Sequence, residues 1–257
     1  MMSAMLRGLV LPAVFTLAVV AILVSLGNWQ LRRLAWKQDL IAMAETRPAE
    51  PVTDLPAADE WPGLDSAGLE FRRFRLTGRF DHGREARVFT SLSDPKGPEG
   101  GPGYWIVTPL VLEGGGTVWI NRGFAPQGRH QAAARGETLS GEPQTIIGLL
   151  RPDDVPSLFT PDDSPQTNVF YRRSVAALSA AKGVARPLAP FTIDLAASFT
   201  PPGGLPQAGE TRIRFVNNHL PYALTWYGLA LAAFGVFVAF VIKRLRGGGL
   251  TGPGAAY

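Results

Sequence analysis

Cysteine is absent from the 257 residues, and that removes disulfides, zinc–cysteine and iron–sulfur ligation, and any cysteine nucleophile. The compartment stays open, since a cysteine-free chain suits reducing and oxidising spaces alike. Charge is scarce too. Only 18% of residues are charged against 46% hydrophobic, which argues against a disordered chain and for membrane segments added to one ordinary domain. The net charge of +4 is unevenly placed, because outside the stretch from Asn28 to Leu220 the charged side chains are Arg7, Lys243, Arg244 and Arg246. Setting those four aside from the 25 basic residues balances the middle of the chain against its 21 acidic ones. A neutral middle with cationic ends is what membrane orientation asks for, whereas a nucleic-acid binder needs a basic stripe on its folded domain.

Two long uncharged runs are present. Gly8 to Leu26 reads GLVLPAVFTLAVVAILVSL and Pro221 to Ile242 reads PYALTWYGLALAAFGVFVAFVI, each close to the ~20 residues a helix needs to cross ~30 Å of hydrocarbon. Both are predicted to be transmembrane helices. The first exceeds the ~7–15-residue apolar region of a signal peptide, and its exit, SLGNWQLRR, has no small-x-small cleavage site. Two spans put both tails on one side. The Lys243-Arg244-Leu245-Arg246 cluster abutting the second helix favours tails in the cytoplasm and the domain outside it, although Arg32, Arg33, Lys37, Arg212 and Arg214 flank the spans on the domain side. Trp29, Arg33, Trp36 and Leu40 recur at helical spacing, which extends the first helix to about Glu45 before Pro48 ends the pattern.

Between the spans the period changes to two. Phe74, Leu76 and Phe80 fall on one face of a strand, with Arg73, Arg75, Thr77 and Arg79 on the other. REARVFTS, after a turn at His82-Gly83, reads as the second half of a hairpin, and YWIVTPLVL with TVWINRG form another around Gly114-Gly115-Gly116. TIIGLL from Thr145, FTIDL from Phe191 and RIRFV from Arg212 are further strands, and Arg172 to Lys182 is a helix stopped by Gly183. The fold class is therefore α+β: two transmembrane helices flanking one β-rich antiparallel extramembrane domain, barrel- or sandwich-like, with minor helix. The organisation reads as a tail over 1–7, a span over 8–26, a helical extension over 27–47, and a Pro-rich irregular connection over 48–69. The β-rich domain follows over 70–216, then the second span over 221–242 and a basic, then disordered, tail over 243–257.

The equipment of an enzyme is hard to find. There is no Gly-x-Ser-x-Gly elbow, no GxxxxGK[ST] phosphate loop and no GxGxxG turn after a strand, and Asp153/Asp154 and Asp162/Asp163 sit in Pro-rich loops where adjacent carboxylates are usually solvated. His82 and His130 lie in polar turn and loop contexts that predict exposed, inert rings. His219 is different, since NNHLPYALTW places it one helical turn from the hydrocarbon, where polar residues are costly and often functional. With Pro221 in the first turn, His219, Tyr222 and Trp226 fall at i, i+3 and i+7. Such an imidazole could ligate the iron of a flat apolar macrocycle, or could cap the helix and bond headgroups beside ordinary interfacial aromatics.

LGNWQLRRLAWKQDLI after the first span, FRRFRLTGRFD, GYWIVTPLVL followed by VWINRGFAP, and NNHLPYALTWYGLA opening the second span occur in that order. Together they resemble the surfeit-locus family of cytochrome c oxidase assembly factors, over about Leu26 to Ile242. The resemblance implies a non-enzymatic accessory protein of a bacterial plasma (inner) membrane or a mitochondrial inner membrane, here read as bacterial with the domain in the periplasm. It would bind haem a and assist its insertion into oxidase subunit I, with haem a synthase as a further candidate partner. The same resemblance maps the iron ligand to His219 and the pocket candidates to Tyr222, Thr225 and Trp226, and it marks Arg122 and Gly123 as a family signature. Read from the residues, Gly123 permits a turn conformation closed to others and Arg122 pairs with a carboxylate. Phe124 stands where the family usually has tryptophan. Arg212 and Arg214, just above the second span, are candidate partners for haem propionates or plain interfacial cations.

Two competitors remain. A haem-free scaffold would bind apo-subunit I through its spans alone. A membrane-anchored hydrolase would need a nucleophile, for which Ser66 is the nearest candidate.

Overall fold

A computed structural model describes residues 2–137, 139–211 and 217–247. The strand expected from Arg212, the propionate partners Arg212 and Arg214, and the tail from 248 onward lie outside the described residues. The chain divides into two compact units, one of residues 1–41 with 214–257 and one of 42–213.

The first unit is a pair of long helices. Helix α1 runs Met2–Thr46 and is followed by a turn at Arg47–Ala49. Its apolar window has none of its residues buried inside the protein, and that of the last helix only 6%. Side chains such as Leu11, Phe15, Leu231 and Val236 are exposed. A soluble core helix would hide such a face, so lipid is the solvent that covers these two.

The second unit is a barrel. After β1 (Thr53–Asp54) come β2 (Arg73–Phe80), β3 (Ala86–Leu92), β4 (Gly101–Leu112) and β5 (Thr117–Pro126), then a short α2 (Ala132–Arg135). They are followed by β6 (Gln144–Arg151), β7 (Val169–Phe170), α3 (Val175–Lys182) and β8 (Leu188–Leu195); the closing helix of the chain is α4 (His219–Gly247). The sheet order β1-β2-β6-β8-β5-β4-β3-β7, with β2 also pairing β4, closes a ring of β2, β6, β8, β5 and β4. Among the described residues this ring is antiparallel except where β5 meets β8 in parallel. The period-two reading of β2 holds, with Phe74, Leu76 and Phe80 buried alongside Val118, Ile120, Ile146, Leu150, Phe191 and Ile193 in the barrel interior. Strand β5 is buried at nearly every position because its other face is covered by α3, where Trp119 donates its indole N–H to Ser179 Oγ at 2.8 Å. Ser174 caps α3 and Gly183 ends it, so the helix starts at Val175 and not at Arg172.

The second expected hairpin is the β4–β5 pair; the first is not a hairpin. Strand β3 pairs β4 at 101–107, whereas β2 pairs the same edge of β4 at 110–112, so β2 and β3 lie end to end along one long strand. The break falls at Pro109, which has no N–H to offer the ladder and whose carbonyl accepts the Asp81 N–H at 2.8 Å. The 48–69 connection is not merely irregular either. It places Trp61 in the barrel core, 2% exposed and edge-on to Phe191, and contributes β1.

Candidate functional site

Within the helix pair, α4 begins at His219, whose N–H donates to Asn217 Oδ1 at 3.4 Å, and Pro221 occupies the first turn where its missing N–H costs nothing. The His219 ring reaches α1. Its Nδ1 lies 2.7 Å from Oε1 of Gln30, a residue only 9% exposed. Further along the same face, the Tyr227 hydroxyl donates to Asn28 Oδ1 at 2.7 Å, and the ring packs over Gly27, where any Cβ would come within 2.6 Å of Tyr227 Cε1. Ala223 and Ala230 are buried on that side. Small residues that let backbones approach, with a few polar bonds across, are the usual means of pairing helices in lipid.

Of the four residues expected to form the pocket, His219 is on this face, while Tyr222 and Thr225 are turned outward. Tyr222 is 57% exposed, Thr225 is exposed and donates its hydroxyl to the Pro221 carbonyl at 2.9 Å, and Trp226 is half-buried. Across the pair, Gly27, Asn28 and Gln30 of α1 meet Tyr227 and His219 of α4. Sequence reasoning passed over Gln30, although an amide next to a hydrocarbon span is itself the signal. Among the described residues Nε2 of His219 has no hydrogen-bond partner. The site can therefore present one imidazole nitrogen for coordination while the other is held.

The family signature sits in the barrel. Ile106 pairs Gly123 and Val107 pairs Asn121, which makes Arg122 the extra residue of a β-bulge. Gly123 has φ of +132°, and an added Cβ would lie 2.3 Å from the Gln207 carbonyl oxygen. The expected turn glycine is a bulge glycine, fixed by a backbone crossing it. Arg122 pairs with both Glu85, at 3.5 Å, and Glu137, and its guanidinium lies over Phe80. Arg135, fully buried, bridges the same two carboxylates. Burial lowers the Arg122 pKa to about 10 despite Glu85. His82 is half-buried here, not exposed: its Nδ1 is 3.4 Å from Arg122, and burial, followed by the Arg122 charge, holds its pKa below the usual histidine value. A cavity of about 200 Å³ adjoins, lined by Phe80, His82, Arg122, Glu137 and Ser140 among others. Two cations face two carboxylates, so the cluster is internally neutralised.

A second buried network corrects the loop reading of the acidic pairs. Asp194 accepts from Asn121 Nδ2, Arg173 and Thr211 Oγ1, and Arg173 also pairs with Asp154 at 2.9 Å. Burial opposes ionisation of Asp154, but Arg173's charge and hydrogen bonds outweigh it and hold the carboxyl below the usual range. Asp153 accepts the Val175 N–H at the start of α3, and burial pushes its pKa up. Asp163 accepts the Tyr171 N–H. His130 is half-buried against Tyr104, with ring centroids 4.9 Å apart. Ser66 has no side-chain hydrogen bond to a base among the described residues.

Two unburied apolar helices joined by a polar clasp, flanking a five-stranded barrel, define a membrane-anchored β-barrel protein with its candidate site at the helix pair. The chain belongs to the SURF1 family, whose model matches residues 17–231. It is 35% identical to the human protein named Surfeit locus protein 1 over 81% of this chain and 70% of that protein. It is 32% identical to the rat protein of that name over 91% and 76%, and 30% identical to a SURF1-like protein of Monosiga brevicollis over 92% and 88%.

Proposed function

We propose that this chain serves the assembly of cytochrome c oxidase, holding haem a at the head of α4 and assisting its delivery to oxidase subunit I. The bilayer is that of a bacterial plasma membrane, with the barrel in the periplasm and haem a synthase as a further candidate partner. Membership of the SURF1 family supports the assembly role. The observation that carries the cargo reading is His219: one ring nitrogen is tied to Gln30 and the other has no partner among the described residues. The donor chemistry fits, since a neutral imidazole nitrogen is a ligand that haem iron accepts, and His219 would hold it there. The neighbouring exposed residues, Leu220, Tyr222 and Leu224, offer the apolar contact a macrocycle needs.

No covalent step is required of the protein. His219 binds, Gln30 orients, and the lipid-facing side chains keep water from one edge of the site.

A haem-free scaffold is favoured by a different observation. The loop between β6 and β7 carries Val155, Leu158 and Phe159 at 90%, 95% and 89% exposure, an apolar tip suited to a protein surface. Purifying the full chain from cells making haem a, and recording its absorption spectrum, separates the two. The cargo reading expects a Soret band that His219→Ala abolishes. No band, or one indifferent to His219→Ala, leaves the scaffold.

A further inference from the structure

We propose that Gln30 is a positioning residue that fixes the tautomer of His219. It accepts the Nδ1 hydrogen in its amide oxygen and thereby leaves the Nε2 lone pair free to coordinate.

The geometry allows few alternatives. An amide oxygen only accepts hydrogen bonds, so a 2.7 Å contact between Gln30 Oε1 and His219 Nδ1 is attractive only when Nδ1 carries the hydrogen. In a neutral ring the hydrogen is then absent from Nε2, and Nε2 becomes the basic nitrogen. Which nitrogen of a histidine binds a metal is commonly decided in this way, by the bond the other nitrogen makes. The turn of α1 that carries Gln30 is packed against α4. Gln30 lies one turn beyond Gly27, where the Tyr227 ring closes against the backbone, and two residues beyond Asn28, which takes the Tyr227 hydroxyl. With the residue only 9% exposed, the contact meets little competition from water.

The consequence is a division of labour between the two spans. Helix α4 supplies the ligating ring and α1 supplies the acceptor that orients it, so ligation requires the paired helices and not α4 alone. A neutral amide at this place orients the ring without placing a charge beside the membrane. That distinguishes it from the carboxylate–histidine pairs that strengthen a ligand further.

This inference rests on the reading of His219 as the iron ligand, but its first test does not. The full chain, labelled with nitrogen-15 in histidine and held in nanodiscs, is measured by NMR at a pH above the histidine range, with His219→Ala used to assign the ring. The expected result is a His219 ring protonated on Nδ1 in the wild type. Gln30→Leu should shift the hydrogen to Nε2, whereas Gln30→Glu, which keeps an acceptor oxygen, should retain the wild-type pattern. A wild-type ring protonated on Nε2, or a pattern that Gln30→Leu leaves unchanged, overturns the proposal.

With haem a supplied, Gln30→Leu should weaken binding about 10–100-fold, the usual cost of losing a ligand's supporting partner, and should move the Soret band, while Gln30→Glu restores binding. If His219→Ala leaves haem a bound, the cargo reading fails and the tautomer measurement still decides the role of Gln30. If His219→Ala abolishes binding and Gln30→Leu does not weaken it, the positioning role fails while the cargo reading survives.

Discussion

The two units bury polar groups on different terms. In the barrel, Asp194 has three donors, Arg173 two carboxylates, and Arg122 and Arg135 share Glu85 and Glu137, so each charge is met by a partner. In the helix pair, His219 is held at one nitrogen and free at the other among the described residues. Those charges neutralise one another, although the same cluster also leaves His82 Nε2 buried without a hydrogen-bond partner beside its cavity. A half-satisfied ring is costly next to a membrane and is the place to look for function. The contrast is one of partners: the barrel's buried charges face opposite charges, while the boundary imidazole of the helix pair faces a neutral amide.

The comparison is most severely tested at Arg173. Arg173→Ala strands the buried Asp194 carboxylate and should cost the barrel about 3–5 kcal/mol, read by denaturant unfolding in detergent. The His219 resonances of the helix pair should meanwhile stay where they are. A change at both units would break the separation drawn between them.

Gly123→Ala comes next. It forces a side chain into a φ of +132° and against the Gln207 carbonyl, and about 2–3 kcal/mol of barrel stability should be lost. Full tolerance in a thermal scan would remove the bulge account of the signature.

In the other unit, Gly27→Leu should drive the Tyr227 ring away and cost the helix pair about 1–3 kcal/mol, without lowering the unfolding midpoint of the barrel. The cysteine-free background allows spin labels at Leu17 and Val236, both exposed. Their distance distribution should lengthen and broaden.

The smallest effect expected is that of His82. Burial holds its pKa in the folded barrel below the ordinary histidine value of 6.5, so the unfolded chain binds a proton first as pH falls. Stability present above about 6.5 is therefore lost progressively below it, down to the folded value. His82→Gln should flatten that slope between pH 5 and 7, changing the midpoint by no more than about 2 °C. A wild-type barrel that gains stability on acidification through this window would show the ring to be charged in place.

Much of this was legible in the chain. The two spans are hydrophobic runs of the length a bilayer requires, β2 shows its inner face through Phe74, Leu76 and Phe80, and the Gly114–Gly116 turn sets the β4–β5 hairpin. His219 was singled out by its place beside the hydrocarbon. Other features were not legible, because they depend on distant partners. REARVFTS looks like the return of a hairpin, yet it continues along β4 because Pro109 interrupts the ladder. Trp61 sits in a Pro-rich stretch that reads as an irregular connection, and only the folded barrel brings Phe191 and its neighbours within reach of the ring. Asp153 and Asp154 look like loop carboxylates until Arg173 and the N-terminus of α3 fold onto them. His82 follows the turn chemistry of an exposed ring but is enclosed by charges from β5 and α2.

Hydrophobic length and period are local quantities, so the sequence alone determined the two membrane helices, the β-rich middle and one imidazole at the boundary. Tertiary structure decided which strands close the barrel, that the Asn-Arg-Gly signature is a bulge clamped between glutamates, and that the face of α4 meeting its partner carries His219 and Tyr227 instead of Tyr222. It also decided that His219 faces Gln30, some 190 residues earlier. Those outcomes turn on which side chains distant backbones bring within a few ångströms of one another, and spacing along a chain does not encode that.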